Sequence, residues 1–220
     1  MKEDRLWPGG PRYVQEPGLF PLSSDSAWLG GFVRLTGVRT ACDLGCGGGA
    51  VALQLLGRKP DLRVTALDIL PAAAERTRAN GLLNGWEITA ICGDLREHRS
   101  LLPPGGFDLA ASNPPYYSRD GGIAAGSRGL ARQESCSPME LCAAAAWLLK
   151  QGGRFALVYP PARLSELFCA MTAAGLEPKR LRLVMKNPRT GPAAALVEGI
   201  RGGGRGLMIE LPLYTEGEAG

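Results

Sequence analysis

The segment Asn113-Pro114-Pro115-Tyr116 has the residue types best suited to catalysis. The two prolines fix the backbone and lack N–H donors, so the Asn113 side-chain oxygen and the Pro114 carbonyl can both point outward as acceptors. Two acceptors fit a planar NH₂ group attached to a ring. When both hydrogens are held by these acceptors, the lone pair of the nitrogen is drawn out of conjugation with the ring and can attack. The Tyr116 ring could stack on the attached base, a contact worth about 1–3 kcal/mol. All four residues are therefore predicted to be catalytic, against the alternative that Pro-Pro only ends a strand.

Three earlier apolar runs also end in or next to an acid: Asp43, Asp68 and Asp94. A glycine-rich turn after Asp43 lets the backbone approach a ligand closely, and Asp68 follows about 20 residues later, where it could accept hydrogen bonds from both ribose hydroxyls. Strand ends of a parallel sheet share one edge, so these acids and Asn113 are predicted to line one crevice. The other predicted cofactor-binding residues are Gly45, Cys46, Gly47, Ile69 and Leu95.

The acidic character of this crevice indicates which cofactor it would bind. A dinucleotide pyrophosphate would face Asp43 with no Lys or Arg in the glycine-rich turn to compensate, which disfavours NAD. S-adenosylmethionine carries a sulfonium and an ammonium and is favoured by the same charges. A glycine-rich turn with no ligand is the remaining alternative.

The elements that must position these residues alternate between short β-rich runs and longer helical runs, which predicts an α/β fold with a seven-stranded, mostly parallel sheet and helices on both faces. The predicted strands are Thr40–Leu44, Arg63–Asp68, Ile88–Cys92, Phe107–Ser112, Arg154–Tyr159, Leu181–Met185 and Ala194–Ile200. The predicted helices are Asp25–Leu35, Gly49–Leu56, Pro71–Leu83, Pro138–Leu149 and Arg163–Ala174. We expect a single domain with an N-terminal extension and helix over 1–39, a core over 40–214 and a frayed tail over 215–220.

Composition excludes several classes of protein. The 220 residues are 45% hydrophobic and 21% charged, which is typical of a globular chain rather than a disordered or fibrous one. The six cysteines form no C-x-x-C pair and His98 is the single histidine, so no metal site is predicted and His98 is expected in a loop. The sequence shows no secretory signal, and its longest apolar run, Leu141–Leu149, is too short to span a bilayer, so a cytoplasmic location is expected.

Taken together, the motifs resemble those of class I S-adenosylmethionine-dependent methyltransferases with a Rossmann-like fold, in the small methyltransferase domain group, and most of all the tRNA1(Val) adenine-37 N6-methyltransferase family. The resemblance rests on Gln15, Ser24-Asp25, Asp43-Leu44-Gly45-Cys46-Gly47, Asp68, Gly93-Asp94, Asn113-Pro114-Pro115-Tyr116, Ala131-Arg132-Gln133-Glu134 and Pro178-Lys179-Arg180-Leu181-Arg182. It implies N6-methylation of adenine in RNA, most of all tRNA, with Asn113, Pro114 and Tyr116 holding the amine. Gln133 departs from the family, which usually has histidine there.

Other functions stay open at this point. Related families with the same tetrapeptide methylate guanine N2 in ribosomal RNA or the glutamine N5 amide of release factors. The release-factor enzymes usually carry an N-terminal helical domain, and only about 40 residues precede the first strand here, which is short for a domain. A nucleoside-binding protein without catalysis would leave the tetrapeptide without a role. The RNA, the target position and the oligomeric state are not specified.

Basic residues are concentrated near the C-terminus, where seven of them lie between Lys179 and Arg205 against one acid, Glu198. Alternation along a strand places Arg180, Arg182 and Lys186 on one face, which is expected to face solvent. The long segment from Tyr117 to Ser137 adds more arginines beside the tetrapeptide. The residues predicted to contact the substrate are Tyr117, Arg128, Arg132, Arg180, Arg182 and Lys186. The alternative is a solvated surface.

Overall fold

A computed structural model describes residues 3–114 and 136–216 of the chain. Its main sheet contains the seven predicted strands, which confirms the predicted fold class. They are β3 (Thr40–Leu44), β4 (Arg63–Asp68), β5 (Thr89–Cys92), β6 (Phe107–Ser112), β7 (Leu149–Tyr159), β8 (Leu176–Met185) and β9 (Pro192–Arg201). Two short strands outside this set, β1 (Glu3–Arg5) and β2 (Arg12–Val14), form a separate antiparallel hairpin near the N-terminus.

The strand order in the main sheet is β8-β9-β7-β6-β3-β4-β5. Strands β3 to β7 are parallel, and β9 alone runs against them between β7 and β8. The chain proceeds from β3 to β4 and β5 on one side, then returns to β6 and β7 on the other side. The order therefore reverses between β3 and β6, and this switch point is where open α/β sheets form their ligand crevice.

The described residues form six α-helices beside the sheet: α1 (Ser24–Phe32), α2 (Ala50–Arg58), α3 (Pro71–Leu83), α4 (His98–Leu101), α5 (Pro138–Leu148) and α6 (Leu164–Ala173). Their buried residues form two apolar clusters, with α1 to α3 contributing to one and α5 and α6 to the other. Central strands are covered on both faces, as the full burial of neighbouring Ala41 and Cys42 shows.

Proline and capping residues start two of these helices as the sequence predicts. Pro71 and Pro138 lie at the first turns of α3 and α5, where a missing N–H is harmless. The Ser137 hydroxyl accepts the Glu140 N–H at 3.3 Å, and the Glu140 carboxylate accepts the Ser137 N–H at 2.7 Å, completing a capping box.

The C-terminal segment adds two strands that the sequence did not predict. Strands β10 (Met208–Ile209) and β11 (Leu213–Tyr214) pair in parallel with the outer edge of β8. The Thr215 N–H then donates to the Met185 carbonyl at 3.0 Å and the Glu216 N–H to the Lys186 carbonyl at 2.9 Å. The expectation of a frayed tail is thus wrong for these two residues, and positions 217–220 lie outside the described residues.

Within residues 3–114 and 136–216, no helix combines the length and the apolar composition needed to cross a membrane.

Candidate functional site

Four polar side chains lie at the carboxyl ends of neighbouring strands. Across the sheet edge the order is Asn113 after β6, Asp43 in β3, Asp68 in β4 and Asp94 after β5. Adjacent strands are about 4.8 Å apart, so the four positions span roughly 15 Å. Asp43 is paired in register with Ala111, which places Asn113 two residues beyond it, across the switch point. This width and shape fit an elongated nucleoside rather than a single ion.

The glycine-rich turn after β3 leaves open space above its backbone. Gly45 and Gly47 have φ values of 74° and 53°, and a Cβ at either position would meet no atom within 4 Å. Positive φ favours glycine, and the open space allows a ligand to approach the main chain. Cys46 between them is buried and accepts a hydrogen bond from the Thr77 hydroxyl at 3.4 Å, so its thiol faces α3.

Gly48 serves a different purpose from its neighbours. A Cβ there would lie 2.2 Å from the Tyr13 hydroxyl oxygen, because the hairpin strand β2 packs directly on the turn. Asn80 of α3 ties the two together, donating to the carbonyls of Gly48 at 2.9 Å and Val14 at 3.1 Å. Sequence reasoning missed this support, since no local motif links Tyr13 to a turn 35 residues away.

Asp43 is fully buried at the centre of the edge. Its Oδ2 accepts the Ala52 N–H at 3.0 Å, whereas its Oδ1 has no hydrogen-bond partner among the described residues. Burial raises the pKa of Asp43 to about 7, and the nearby Asp68 adds to the effect while the Ala52 bond opposes it. A buried carboxylate oxygen without a partner is costly, so a cationic or N–H-bearing ligand group would be stabilised here.

Asp68 organises the loops on both sides of the crevice. Its Oδ2 accepts the Gly47 N–H at 2.8 Å and its Oδ1 accepts the Leu70 N–H at 3.0 Å. Burial still raises its pKa, and these backbone bonds counteract the rise. Because a carboxylate offers about four lone-pair sites, two stay available for ribose hydroxyls. The next residue, Ile69, is half-buried beside it.

Asp94 has a basic partner that the sequence analysis did not anticipate. Both carboxylate oxygens contact the Arg96 guanidinium, and Oδ1 also accepts the Arg96 N–H at 2.8 Å. These hydrogen bonds hold the pKa of Asp94 below its usual value. Leu95, between them, packs on the apolar cluster below α5. A ligand amine at Asp94 would have to share the carboxylate with Arg96.

Asn113 is half-buried at the end of β6, with Pro114 following it. Its Nδ2 donates to the Ser26 hydroxyl oxygen at 3.0 Å and lies 3.4 Å from the Ser23 hydroxyl oxygen. Helix α1 therefore reaches the same edge as the acids. The remaining predicted catalytic residues, Pro115 and Tyr116, lie outside the described residues, as do the predicted substrate contacts Tyr117, Arg128 and Arg132.

The expectation that Arg180 faces solvent is wrong. Its side chain is 7% exposed, because α1 covers this face of β8 and the guanidinium lies 4.2 Å from the Phe32 ring centroid. Arg180 pairs with Glu198 at 3.1 Å and with Glu210 at 2.7 Å. The acid on the neighbouring strand and the acid brought by the C-terminal segment neutralise it, so Arg180 is not available to RNA in this fold.

The two other basic residues predicted on this face are more accessible. Arg182 is partly exposed and pairs with Glu210 at 2.7 Å. Lys186 is 61% exposed in its side chain and lies 3.0 Å from the Glu216 carboxylate. Because β8 runs in the same direction as β7, Lys186 lies at the carboxyl edge, on the same side as Asn113.

His98 does not lie among the four strand-end side chains, and among the cysteines Cys92 is exposed at the end of β5, in register with Asp68. His98 starts the short helix α4 rather than lying in a loop, with Nδ1 2.9 Å from the Leu95 carbonyl oxygen and its ring edge-on to Trp147. In the part of the chain that the structure describes, no cluster of three or more His, Cys, Asp or Glu residues is placed to hold a metal ion. A cavity of about 730 Å³ lies at the opposite end of the sheet, near Arg39 and Arg63, and does not include the site.

Comparisons with known proteins agree with this geometry. Residues 33–169 match the family described as methyltransferase small domain. A relative from Porphyromonas gingivalis, described as a tRNA1(Val) (adenine(37)-N6)-methyltransferase, is 34% identical over 78% of this chain and 69% of its own length. A relative of the same description from Aeromonas hydrophila is 32% identical over 67% of this chain and 63% of its length. The chain thus spans about two thirds of these relatives.

Solved structures show the same fold. A protein from Agrobacterium tumefaciens, described as a predicted O-methyltransferase, superposes with a TM-score of 0.69 over 89% of both chains at 21% identity. A methyltransferase from Pyrococcus furiosus gives a TM-score of 0.61 over 86% of this chain and 88% of its own at 18% identity. Fold, edge geometry and family match coincide, and the chain belongs to the methyltransferase small domain family.

Proposed function

We propose that this enzyme transfers a methyl group from S-adenosylmethionine to N6 of an adenine in tRNA. The observation that carries the proposal is the position of Asn113, an amide-bearing residue, across the switch point from the buried and unpartnered Oδ1 of Asp43. One residue suits a cationic cofactor and the other suits the amine that receives the methyl group.

The residues present fit S-adenosylmethionine. The Asp43 carboxylate would hold the ammonium group of the cofactor through the oxygen that lacks a hydrogen-bond partner. The open space above the backbone of Gly45 and Gly47 would accommodate the part of the cofactor next to that ammonium group. Asp68 would accept from the ribose hydroxyls through its unused lone pairs. When bound, this cofactor supplies an electrophilic methyl group on a positively charged sulfur.

The protein's own residues would prepare the target nitrogen. Asn113 Oδ1 and the Pro114 carbonyl would each accept one hydrogen of the amine, which turns its lone pair toward the crevice. Tyr116 would stack on the base and fix its plane. No protein base is needed, because the proton can leave to water after methyl transfer.

The choice of adenine in tRNA rests on the relatives, whose names specify this nucleotide. A base held in a folded stem-loop must be swung out to reach Asn113, at a cost of a few kcal/mol that is lowest in a loop. Such a substrate fits the cytoplasmic location expected from the sequence. Guanine N2 in ribosomal RNA and a release-factor glutamine are the competing acceptors.

Incubation of the purified enzyme with tritiated S-adenosylmethionine and total tRNA, ribosomal RNA or a release factor tests the acceptor. Label in N6-methyladenosine from tRNA is the expected result. A tRNA1(Val) transcript with guanosine in place of adenosine 37 should lose the label if the position is the one named for the relatives. Label found only in N2-methylguanosine or in the release factor contradicts the proposal.

Calorimetry tests the cofactor separately from the acceptor. Asp68→Ala should weaken S-adenosylmethionine binding about tenfold or more, because two hydroxyls lose their acceptor and the Gly47 loop loses its anchor. Asp61→Ala is the matched control, since Asp61 is exposed and pairs with Lys59 at the opposite end of the sheet. Tighter binding of a nicotinamide nucleotide than of S-adenosylmethionine would contradict the cofactor assignment.

A further inference from the structure

The Asn113 carboxamide has a contact that its proposed role does not by itself require. Its Nδ2 donates to the Ser26 hydroxyl oxygen at 3.0 Å, and the Ser23 hydroxyl oxygen is 3.4 Å away. Ser26 is only 6% exposed, so water competes little for this bond. Ser23 is the N-cap residue of α1, yet its side chain makes no capping hydrogen bond, which leaves its hydroxyl oxygen directed at Asn113.

Helix α1 holds these serines in a fixed position. It packs on α2 so closely that a Cβ at Gly30 would lie 2.7 Å from Gln54 Cβ. The Arg58 guanidinium of α2 also hydrogen-bonds to the Gly30 carbonyl oxygen, and Leu29 and Phe32 are buried in the core. A side chain bonded to Ser26 is therefore bonded to a rigid element.

The orientation of the carboxamide matters because its two ends are chemically opposite. The oxygen accepts hydrogen bonds and the NH₂ group donates them. A target amine facing Oδ1 is held by a hydrogen bond, whereas the same amine facing Nδ2 would meet a second donor. Since the two groups lie at opposite corners of the amide, a bond from Nδ2 to α1 turns Oδ1 away from α1.

We propose that Ser26 is a positioning residue that, with Ser23, binds Nδ2 of Asn113 and so directs Oδ1 toward the amine that is to be methylated. The inference rests on the proposed function for the identity of that amine, but the contact itself is a property of the folded chain. Helix α1, which precedes the first strand of the main sheet, thereby becomes part of the catalytic apparatus through Asn113.

The hydrogen bond can be observed without any substrate. The chain has four asparagines, Asn80, Asn84, Asn113 and Asn187, so protein labelled with ¹⁵N-asparagine gives four side-chain amide pairs. The pair that disappears in Asn113→Asp belongs to Asn113. In Ser26→Ala this pair should shift and exchange its hydrogens faster, while the other three pairs stay in place. An unchanged Asn113 pair overturns the proposal whether or not the enzyme methylates tRNA.

Single-turnover rates test the catalytic consequence. Ser26→Ala should lower the rate of methyl transfer about tenfold, with S-adenosylmethionine affinity within threefold of wild type, because misplacement of a reacting group affects the chemical step. Ser26→Cys, which keeps a similar volume but accepts hydrogen bonds weakly, should show the same loss if Ser26→Ala proves unstable. A wild-type rate in both variants overturns the proposal.

Two comparisons separate positioning from a general structural role. Ser112→Ala removes another buried hydroxyl, which donates to the Leu44 carbonyl at 2.7 Å rather than to Asn113, and should lower stability while the rate stays within twofold. In the Asn113→Asp background both ends of the side chain are oxygens, so its orientation has no effect. Loss of the Ser26 hydroxyl should then lower the rate of methyl transfer less than threefold. An equal loss in both backgrounds would show that Ser26 does not act through the orientation of Asn113. A wild-type protein that methylates none of the amine substrates contradicts the proposed function instead.

Discussion

Two groups of buried acids on the same sheet have opposite surroundings. At the carboxyl edge, burial raises the pKa of both Asp43 and Asp68, and no described Lys or Arg pairs with either carboxylate. At the β8 edge, Glu198 and Glu210 contact Arg180, whose hydrogen bond holds the pKa of Glu210 below its usual value. The first group has no paired cation among the described residues, whereas the charges of the second group are paired within the chain.

This difference separates a ligand site from a structural cluster. An acid that keeps an unpaired oxygen in an apolar setting is destabilising unless a ligand completes it, so such groups concentrate at functional sites. An acid already paired with arginine gains nothing from a ligand. The basic residues near the C-terminus therefore belong mostly to the fold, although their sequence pattern alone resembles an RNA-binding row.

The largest expected effect is on stability at the β8 edge. Arg180→Ala should lower the free energy of unfolding by about 3–5 kcal/mol, because it leaves the buried Glu198 without its cation and removes one of the cations paired with Glu210. Urea denaturation at neutral pH measures the change. Arg163→Ala breaks the more exposed pair with Glu166 and should cost less than about 1 kcal/mol. Similar losses in the two variants would contradict the assignment of Arg180 to a buried cluster that stabilises the fold.

The largest expected effect on activity is at the carboxyl edge. Asn113→Ala should slow methyl transfer by about 100-fold or more, a loss comparable to removing one preorganised hydrogen-bonding group from an active site. Stability and S-adenosylmethionine affinity should stay near wild type, because Asn113 lies at a strand end and is half-buried. Single-turnover rates on labelled tRNA decide the result. A wild-type rate would mean that the tetrapeptide only ends β6.

Much of the fold could be predicted because its signals are local. Alternating apolar runs specify β3 and β4 to the residue, and Pro71 and the Ser137 capping box mark the starts of α3 and α5. The prediction that the strand-end acids lie at one edge then follows from the rule that the carboxyl ends of parallel strands share an edge. These inferences need only neighbouring residues and the alternation of strands with helices.

The wrong predictions concern positions where segments that are distant in the sequence come into contact. Alternation correctly places Arg180 and Arg182 on one face of β8, but only the fold shows that α1 covers that face and that Glu210 is brought beside it. Likewise, Tyr13 packs against Gly48, which is 35 residues away in the sequence, and no sequence motif indicates this contact. A charge row in a sequence therefore indicates a surface only when no other element is available to cover it.

The two edges should also respond to pH in opposite directions. Burial raises the pKa of Asp43 to about 7, while an unfolded Asp titrates near 3.9, so between these values the folded state holds a proton that the unfolded state has released. The free energy of unfolding should therefore fall as pH rises from about 4 to about 7, with most of this loss complete once the folded pKa is passed. The lowered pKa of Glu210 has the opposite sign, because its contribution is lost only as pH falls below its unfolded value.

Asp43→Asn tests this directly. The variant keeps an oxygen for the Ala52 N–H but cannot ionise, so urea denaturation at pH 5.5 and pH 8 should show a smaller fall in stability than in wild type. Asp68 acts in the same direction and should leave part of the slope in place. An identical pH dependence in the two proteins would show that Asp43 does not titrate in this range.

The smallest expected effect concerns Lys186, which among the described predicted RNA contacts combines strong exposure with a position at the carboxyl edge. Ser112, Leu157, Val197 and Leu181 are aligned across β6, β7, β9 and β8, so Lys186 projects five residues beyond this row on the same side as Asn113. Lys186→Ala should weaken tRNA binding a few-fold at low salt. It should also make the salt slope, which is the change of log affinity with log salt concentration, shallower by about one, the amount expected for one lost phosphate contact.

Lys179 is the matched control for Lys186, because it lies on the same strand seven residues earlier, about 23 Å away, and its Nζ donates to the Gly204 carbonyl at 2.9 Å. Lys179→Ala should leave the salt slope of tRNA binding unchanged. Fluorescence titrations at several salt concentrations compare the two variants. If both variants lower the salt slope equally, RNA contacts extend along the whole β8 edge. The basic residues there would then bind RNA as well as stabilise the fold. If neither does, the carboxyl edge binds RNA through other residues.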